Sequence, residues 1–149
     1  MNKHNMITLP CPIAGVSLVY TGDGRRTELK RVYCDRAFST ALIRFVGALR
    51  VTTGLSVLYT QGIYNYRKIR GGERLSLHAY GRAIDITGFR VHGGLEIWVE
   101  RDWRNPKFSR FWQLMRETIK KVSSPFEVEL LTPDSDSRHQ DHIHWGLKL

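Results

Sequence analysis

Four of the six histidines fall in two short segments, Ser76-Leu77-His78-Ala79-Tyr80-Gly81-Arg82-Ala83-Ile84-Asp85 and His139-Gln140-Asp141-His142-Ile143-His144. Imidazole and carboxylate are the ligands that zinc takes from a chain without a cysteine cluster. Two His and one carboxylate leave the fourth tetrahedral position open, as in catalytic sites. Two histidines from these segments with Asp85 could form such a set. A metal there lowers the pKa of its water toward neutrality and polarises a carbonyl, so a hydrolase would further need a general base and a positive donor for the oxyanion. His142, Asp141 and His139 are candidates for the base, and Arg67 for the donor. Asp141 has the alternative role of hydrogen-bonding an imidazole and fixing its tautomer. His4 and His92 read as surface or satisfied core residues.

These residues have to be carried by a fold. Asp85 lies in the β-prone run Ala83 to Thr87, and His78 reaches it from a turn that Gly81 permits. His142 and His144, two apart in a final strand over Ile143 to Leu149, would project to one face. Upstream, Phe38, Leu42, Phe45 and Leu49 recur at helical spacing behind Asp35 as cap, and Thr52-Thr53-Gly54 ends that helix. Leu55 to Tyr59 reads as a strand, Gly93-Gly94 as a hairpin turn before a strand over Leu95 to Val99, and Thr21-Gly22-Asp23-Gly24 as another turn. Asn105-Pro106 opens a second helix with Phe108, Phe111, Trp112, Met115 and Ile119 on its apolar face, and Phe126 to Leu131 is a further strand. The expected fold is α+β: two main helices packed on a mostly antiparallel sheet that carries the zinc site.

A chain of 149 residues is long enough for one core without disulfide or metal staples, so a metal would be functional rather than structural. The expected organisation is a single domain over 1–149, with 1–33 an extension packed on 34–149. A formal charge of +9 favours polyanionic partners: nucleic acid, anionic lipid or the acidic polymers of a cell envelope. Lys and Arg are scattered, the nearest cluster being Arg67, Lys68, Arg70 and Arg74, and no helix-turn-helix, zinc-finger or RRM pattern is present, so no specific nucleic-acid partner is expected. No stretch has the apolar length of a transmembrane helix. Cys11 and Cys34 are too few for a zinc knuckle and read either as a disulfide or as two free thiols.

Ser76-x-His78-x-x-Gly81-x-Ala83-x-Asp85 followed by His142-x-His144 resembles the signature of zinc peptidases that include D-Ala-D-Ala carboxypeptidases, peptidoglycan endopeptidases and the hedgehog domain. Within that group the chain is most similar to the bacterial extensin-like C-terminal domain family. Cys34, Gly62-Ile63-Tyr64-Asn65-Tyr66-Arg67, Asp85-Ile86-Thr87-Gly88-Phe89-Arg90, Arg101-Asp102-Trp103 and Asp141-His142-Ile143-His144 carry the likeness. Tyr66 stands where that family has a second Cys, so either Cys11 replaces the partner of Cys34 or the bridge is absent. The resemblance implies zinc held by His78, Asp85 and His144, with His142 beside it as base or transition-state stabiliser. It further implies hydrolysis of peptidoglycan peptides, as endopeptidase or carboxypeptidase, by a monomer acting in the periplasm or cell wall. No signal peptide is legible. Candidate further partners are therefore a secretion or phage delivery system, or an immunity protein.

Overall fold

The structure, a computed structural model of the chain, describes residues 5–64 and 76–149. Its first strands, β1 (Met6–Pro10), β2 (Ser17–Tyr20), β3 (Thr27–Glu28) and β4 (Arg31–Asp35), lead into helix α1 (Arg36–Thr53). Asp35 begins that helix as expected, its carboxylate accepting the Phe38 N–H at 3.1 Å. Gly54 closes it in the left-handed region at φ 71°, where a glycine avoids the Cβ clash. β5 (Val57–Gly62), β6 (Ala83–Arg90) and β7 (Glu96–Trp98) follow, then a single helical turn α2 (Val99–Asp102), helix α3 (Ser109–Ser123), β8 (Val128–Leu131) and β9 (Ile143–Leu147). Asn105 does cap the chain's entry into the second main helix, through a one-turn 3-10 segment Pro106–Phe108.

Seven strands form one sheet in the order β3-β2-β5-β6-β9-β8, with β7 continuing the β9 edge of β6; β1 and β4 pair separately. The sheet is mixed, which corrects the expectation of a mostly antiparallel one: β2 runs parallel to β5, Leu18 opposite Leu58. A parallel pair needs a long crossover, and here it passes through β3, β4 and the 18-residue α1. The N-terminal segment carries too little alternation to reveal that return.

Alternation across the sheet separates core from site. Ile84 and Leu130 lie opposite Trp145 and face the helices, while Asp85 and Leu131 lie opposite His144 and face away. On the helix side Trp145 packs between Phe38 and Phe45, ring centroids 5.1 and 5.0 Å away, and its indole N–H donates to Ser123 Oγ at 3.0 Å. Phe89 meets Phe111 and Trp112 of α3. Arg101-Asp102-Trp103 proves to be a structural knot. Asp102 accepts the Trp98 N–H, its carbonyl accepts the Trp112 indole N–H, and Trp103 stacks on Trp112 at 5.0 Å. No helix among the described residues is long and apolar enough to cross a membrane.

Both cysteines are free thiols. The β1–β4 ladder sets Cys34 opposite Ile7, and Cys11 continues it opposite Lys30. The two cysteines are thus four positions apart along the ladder, roughly 13 Å of strand, well beyond the reach of a disulfide.

Candidate metal centre

β6 and β9 run antiparallel and in register, which alone puts Asp85 opposite His144 on the face away from the helices. His78 arrives separately, from a 3-10 turn over Leu77–Tyr80. Gly81 ends that turn at φ 66°, and a Cβ there would lie 2.8 Å from the Asp35 nitrogen, whose N–H donates to the Gly81 carbonyl. Gly146 has a matching role on β9: a Cβ would meet Leu77 Cδ1 at 2.8 Å and the Arg82 carbonyl at 3.1 Å. Gly81 thus lets the end of the His78 turn lie against the β1–β4 pair, and Gly146 lets the turn lie on β9. Arg82, between the motif ligands, is buried; it pairs with Asp35 at 3.0 Å and donates to the carbonyls of Leu147 and Lys148.

The three side chains converge. His78 Nε2 lies 3.1 Å and His144 Nδ1 3.2 Å from the same oxygen, Asp85 Oδ1, and the three potential ligand atoms are within 4.8 Å of one another. The edge of a tetrahedron around a zinc with bonds of ~2.0–2.1 Å is roughly 3.3 Å, so the spacing matches such an ion. His78 Nδ1–H donates to the Ile63 carbonyl at 2.7 Å, which leaves the Nε2 lone pair aimed at a carboxylate. Two such electron-rich atoms are stable side by side only with a proton or a cation to share. Burial favours the uncharged forms of both Asp85 and His144, yet their mutual contact wins. Asp85 is held well below the usual carboxylate range by His144 and His78, and His144 is raised to about 9 by Asp85 and Glu129. A cation that bound between these atoms would have to compete with a proton on His144. Two nitrogens and one oxygen at low exposure are a donor set suited to zinc.

The other sequence candidates gather at the rim. His142 Nδ1 lies 2.7 Å from Asp141 Oδ1 and His139 Nδ1 2.7 Å from Asp136 Oδ1, so each imidazole is oriented by a carboxylate. The His139 ring is 4.9 Å from that of His142 and 6.4 Å from that of His144. His142 sits just before β9 and is partly exposed. Asp141 therefore has the orienting arrangement, and the Nε2 atoms of His142 and His139 have no hydrogen-bond partner among the described residues. Arg67, like Tyr66 and the neighbouring basic residues, lies outside the described residues. His92 is exposed.

Three participants escaped the sequence reading. Ile63 acts through its carbonyl, which no side-chain pattern reveals. Asp136 caps the 3-10 turn Ser137–His139 while it holds His139, and a residue three before a histidine carries no strong signal. Glu129 lies 2.6 Å from His144 Nε2, but off the direction of the ring N–H, so this buried nitrogen lacks a straight hydrogen bond. A lone carboxylate in the strand Val128-Glu129-Leu130-Leu131 is a usable signal in hindsight.

A polar cavity of about 440 Å³ opens on His78 and Asp85, bounded by Tyr20, Gly62 and Tyr64. Gln61 borders both it and a second hollow of about 380 Å³ that reaches Trp98, Arg101 and Asp141. The two hollows meet at Gln61 and together form the groove beside the centre.

No curated protein sequence matches this chain. A family model described as extensin-like protein C-terminus matches residues 20–149, which takes in the chain from the end of β2 onward and every residue of the centre. The chain belongs to the extensin-like protein C-terminus family.

Proposed function

We propose that the protein is a zinc-dependent peptidase that hydrolyses peptide bonds in bacterial peptidoglycan, in stem peptides or cross-links. One observation carries the zinc reading: two imidazole nitrogens converge on a single Asp85 oxygen beside a polar groove. His78, Asp85 and His144 would hold the ion. When bound, zinc supplies an acidified water and polarisation of a carbonyl. His142, its Nδ1–H held by Asp141, would use Nε2 to take a proton and return it to a leaving amine. His139, held likewise by Asp136, stands between His142 and His144 as a second proton carrier. Arg67 is assigned the oxyanion on the strength of the family likeness. The groove is assigned to the substrate peptide. The peptidoglycan assignment rests on the resemblance of the motif and on the +9 charge, suited to an anionic wall. Action would then lie in the periplasm or wall, by a monomer, with a secretion or phage delivery system or an immunity protein as further partners.

The test is metal analysis of the purified protein combined with digestion of purified peptidoglycan, with and without chelator, and mass spectrometry of the products. One zinc per chain and chelator-sensitive release of peptides is the expected result. Zinc without product from any wall chemistry would turn the reading to a silent module that binds wall peptides or a protein. Absence of metal binding would overturn the centre itself.

A further inference from the structure

We propose that Glu129 is a positioning residue that selects the nitrogen of His144 presented to the metal; this rests on the zinc reading of the centre. The two imidazoles of the centre are used in opposite senses. His78 points Nε2 at Asp85 and His144 points Nδ1. A histidine ligates through a nitrogen that has no proton, so the other nitrogen must carry one and needs an acceptor. For His78 that acceptor is the neutral Ile63 carbonyl. For His144 the group beside Nε2 is the Glu129 carboxylate at 2.6 Å.

Its placement follows from the sheet. β8 pairs with β9 so that Glu129 lies opposite Gly146 and Leu131 opposite His144. Residues two apart share a face, so Glu129 and His144 are diagonal neighbours on the site face, while Val128 and Leu130 pack toward the core. Gly146 contributes no side chain between them. Asp85 and Glu129 then flank one imidazole from both ends, Asp85 Oδ1 at Nδ1 and Glu129 Oε1 at Nε2. A carboxylate at the outer nitrogen raises the donor strength of the inner one more than a carbonyl does. A second negative charge near the ion also offsets its charge in a partly buried site.

The test uses Glu129→Gln, which keeps size and an acceptor oxygen, and Glu129→Ala, which keeps neither. Glu127→Ala is the control, an exposed residue beside the same strand paired with Lys148. Zinc affinity is measured by competition with a chromogenic chelator, and the His144 tautomer in zinc-loaded protein by long-range 15N correlation spectra. The expected result is Nε2–H on His144 in the parent protein. Affinity should fall about 10- to 100-fold in Glu129→Ala, less in Glu129→Gln and not at all in Glu127→Ala, with unchanged far-ultraviolet circular dichroism in all. Should Glu129→Ala fail to fold, the Glu129→Gln loss and the parent tautomer decide. Parent protein that binds zinc with Nδ1–H on His144, or variants within threefold of the parent, would overturn the role of Glu129 alone. Parent protein that binds no zinc would overturn it together with the proposed function.

Discussion

Arg82 separates His78 from Asp85 in sequence, yet its guanidinium points away from the centre and ties three parts of the chain together. It pairs with Asp35 at 3.0 Å, both side chains no more than 10% exposed, and donates to the carbonyls of Leu147 and Lys148. Replacing Arg82 by Met fills the space and removes every donor. Removing one partner of a buried ion pair costs about 3–5 kcal/mol. Asp35 still receives the Phe38 N–H, which places the expected loss near the lower end, about 3 kcal/mol. For a chain of this size that is roughly 6–12 °C in Tm. Asp35→Asn keeps a cap and leaves Arg82 its two carbonyls, so a smaller loss of about 1–2 kcal/mol is expected. The double variant should lose about 1–2 kcal/mol less than the sum, because the second change removes a charge already orphaned. Denaturant unfolding of metal-free protein measures all three, with titration of zinc into the folded variants as companion. A loss below 1 kcal/mol in Arg82→Met, or strict additivity with Asp35→Asn, would refute the clamp. Zinc affinity that collapses while the fold is kept would mean that Arg82 acts on the centre directly.

Gly146→Ala places a Cβ 2.8 Å from Leu77 Cδ1 and 3.1 Å from the Arg82 carbonyl, so it should cost about 1–3 kcal/mol and weaken zinc binding by shifting the His78 turn. Unaltered zinc affinity by chelator competition would contradict this. Away from the centre, the Tyr59 hydroxyl, with Arg90 and Arg26, lowers Glu96 from 4.5 to about 2. A depressed carboxyl contributes stability that is present above its unfolded pKa and lost as pH falls through the folded one. The protein should therefore lose roughly 1–2 kcal/mol between pH 4.5 and 2 through this group, after allowance for its partial exposure, and Glu96→Gln should flatten that slope in acid denaturation. Burial pushes the Cys34 thiol up to about 12, with Asp35 and Cys11 adding to the rise. Native protein should resist alkylation at Cys34 at pH 8 and show one unfolding midpoint with or without reductant; a reductant-sensitive midpoint would require a bridge the β1–β4 ladder does not allow.

Elements with strong local signals were legible before any coordinates. α1 announces itself by Asp35, by the Phe38-Leu42-Phe45-Leu49 stripe and by Gly54, three independent cues that agree. The β6–β7 hairpin and the Asn105 cap were equally local. The parallel β2–β5 pair was not, because strand partners are chosen by packing across long separations and leave no mark on four residues of Ser17–Tyr20. The centre shows the same division. His78, Asp85 and His144 are legible as residue types with spacing, and the structure brings their ligand atoms together. Asp136 and the Ile63 carbonyl act by position and are revealed by turn geometry alone, while Glu129 leaves only the faint mark of a lone carboxylate in an apolar strand and needs the β8–β9 register to place it.

The imidazoles of the centre have one feature in common that bears on how it works. In each, one nitrogen has an oxygen beside it: the Ile63 carbonyl for His78, Asp141 for His142 and Asp136 for His139 as hydrogen-bond acceptors, and Glu129 in close but off-line contact with His144. An imidazole so held keeps its ring plane, and its remaining nitrogen faces the shared space without the cost of ordering it later. Three of those groups are carboxylates, and Asp85 makes a fourth, so negative charge collects at one point of a chain whose formal charge is +9. The two fields act on different partners: carboxylates within a few ångströms favour a divalent cation, while the distributed Lys and Arg act over a Debye length of ~8–10 Å on a polyanion. Removing surface lysines should thus alter capture of a wall and leave the cation in place, whereas loss of a single backing carboxylate should do the reverse.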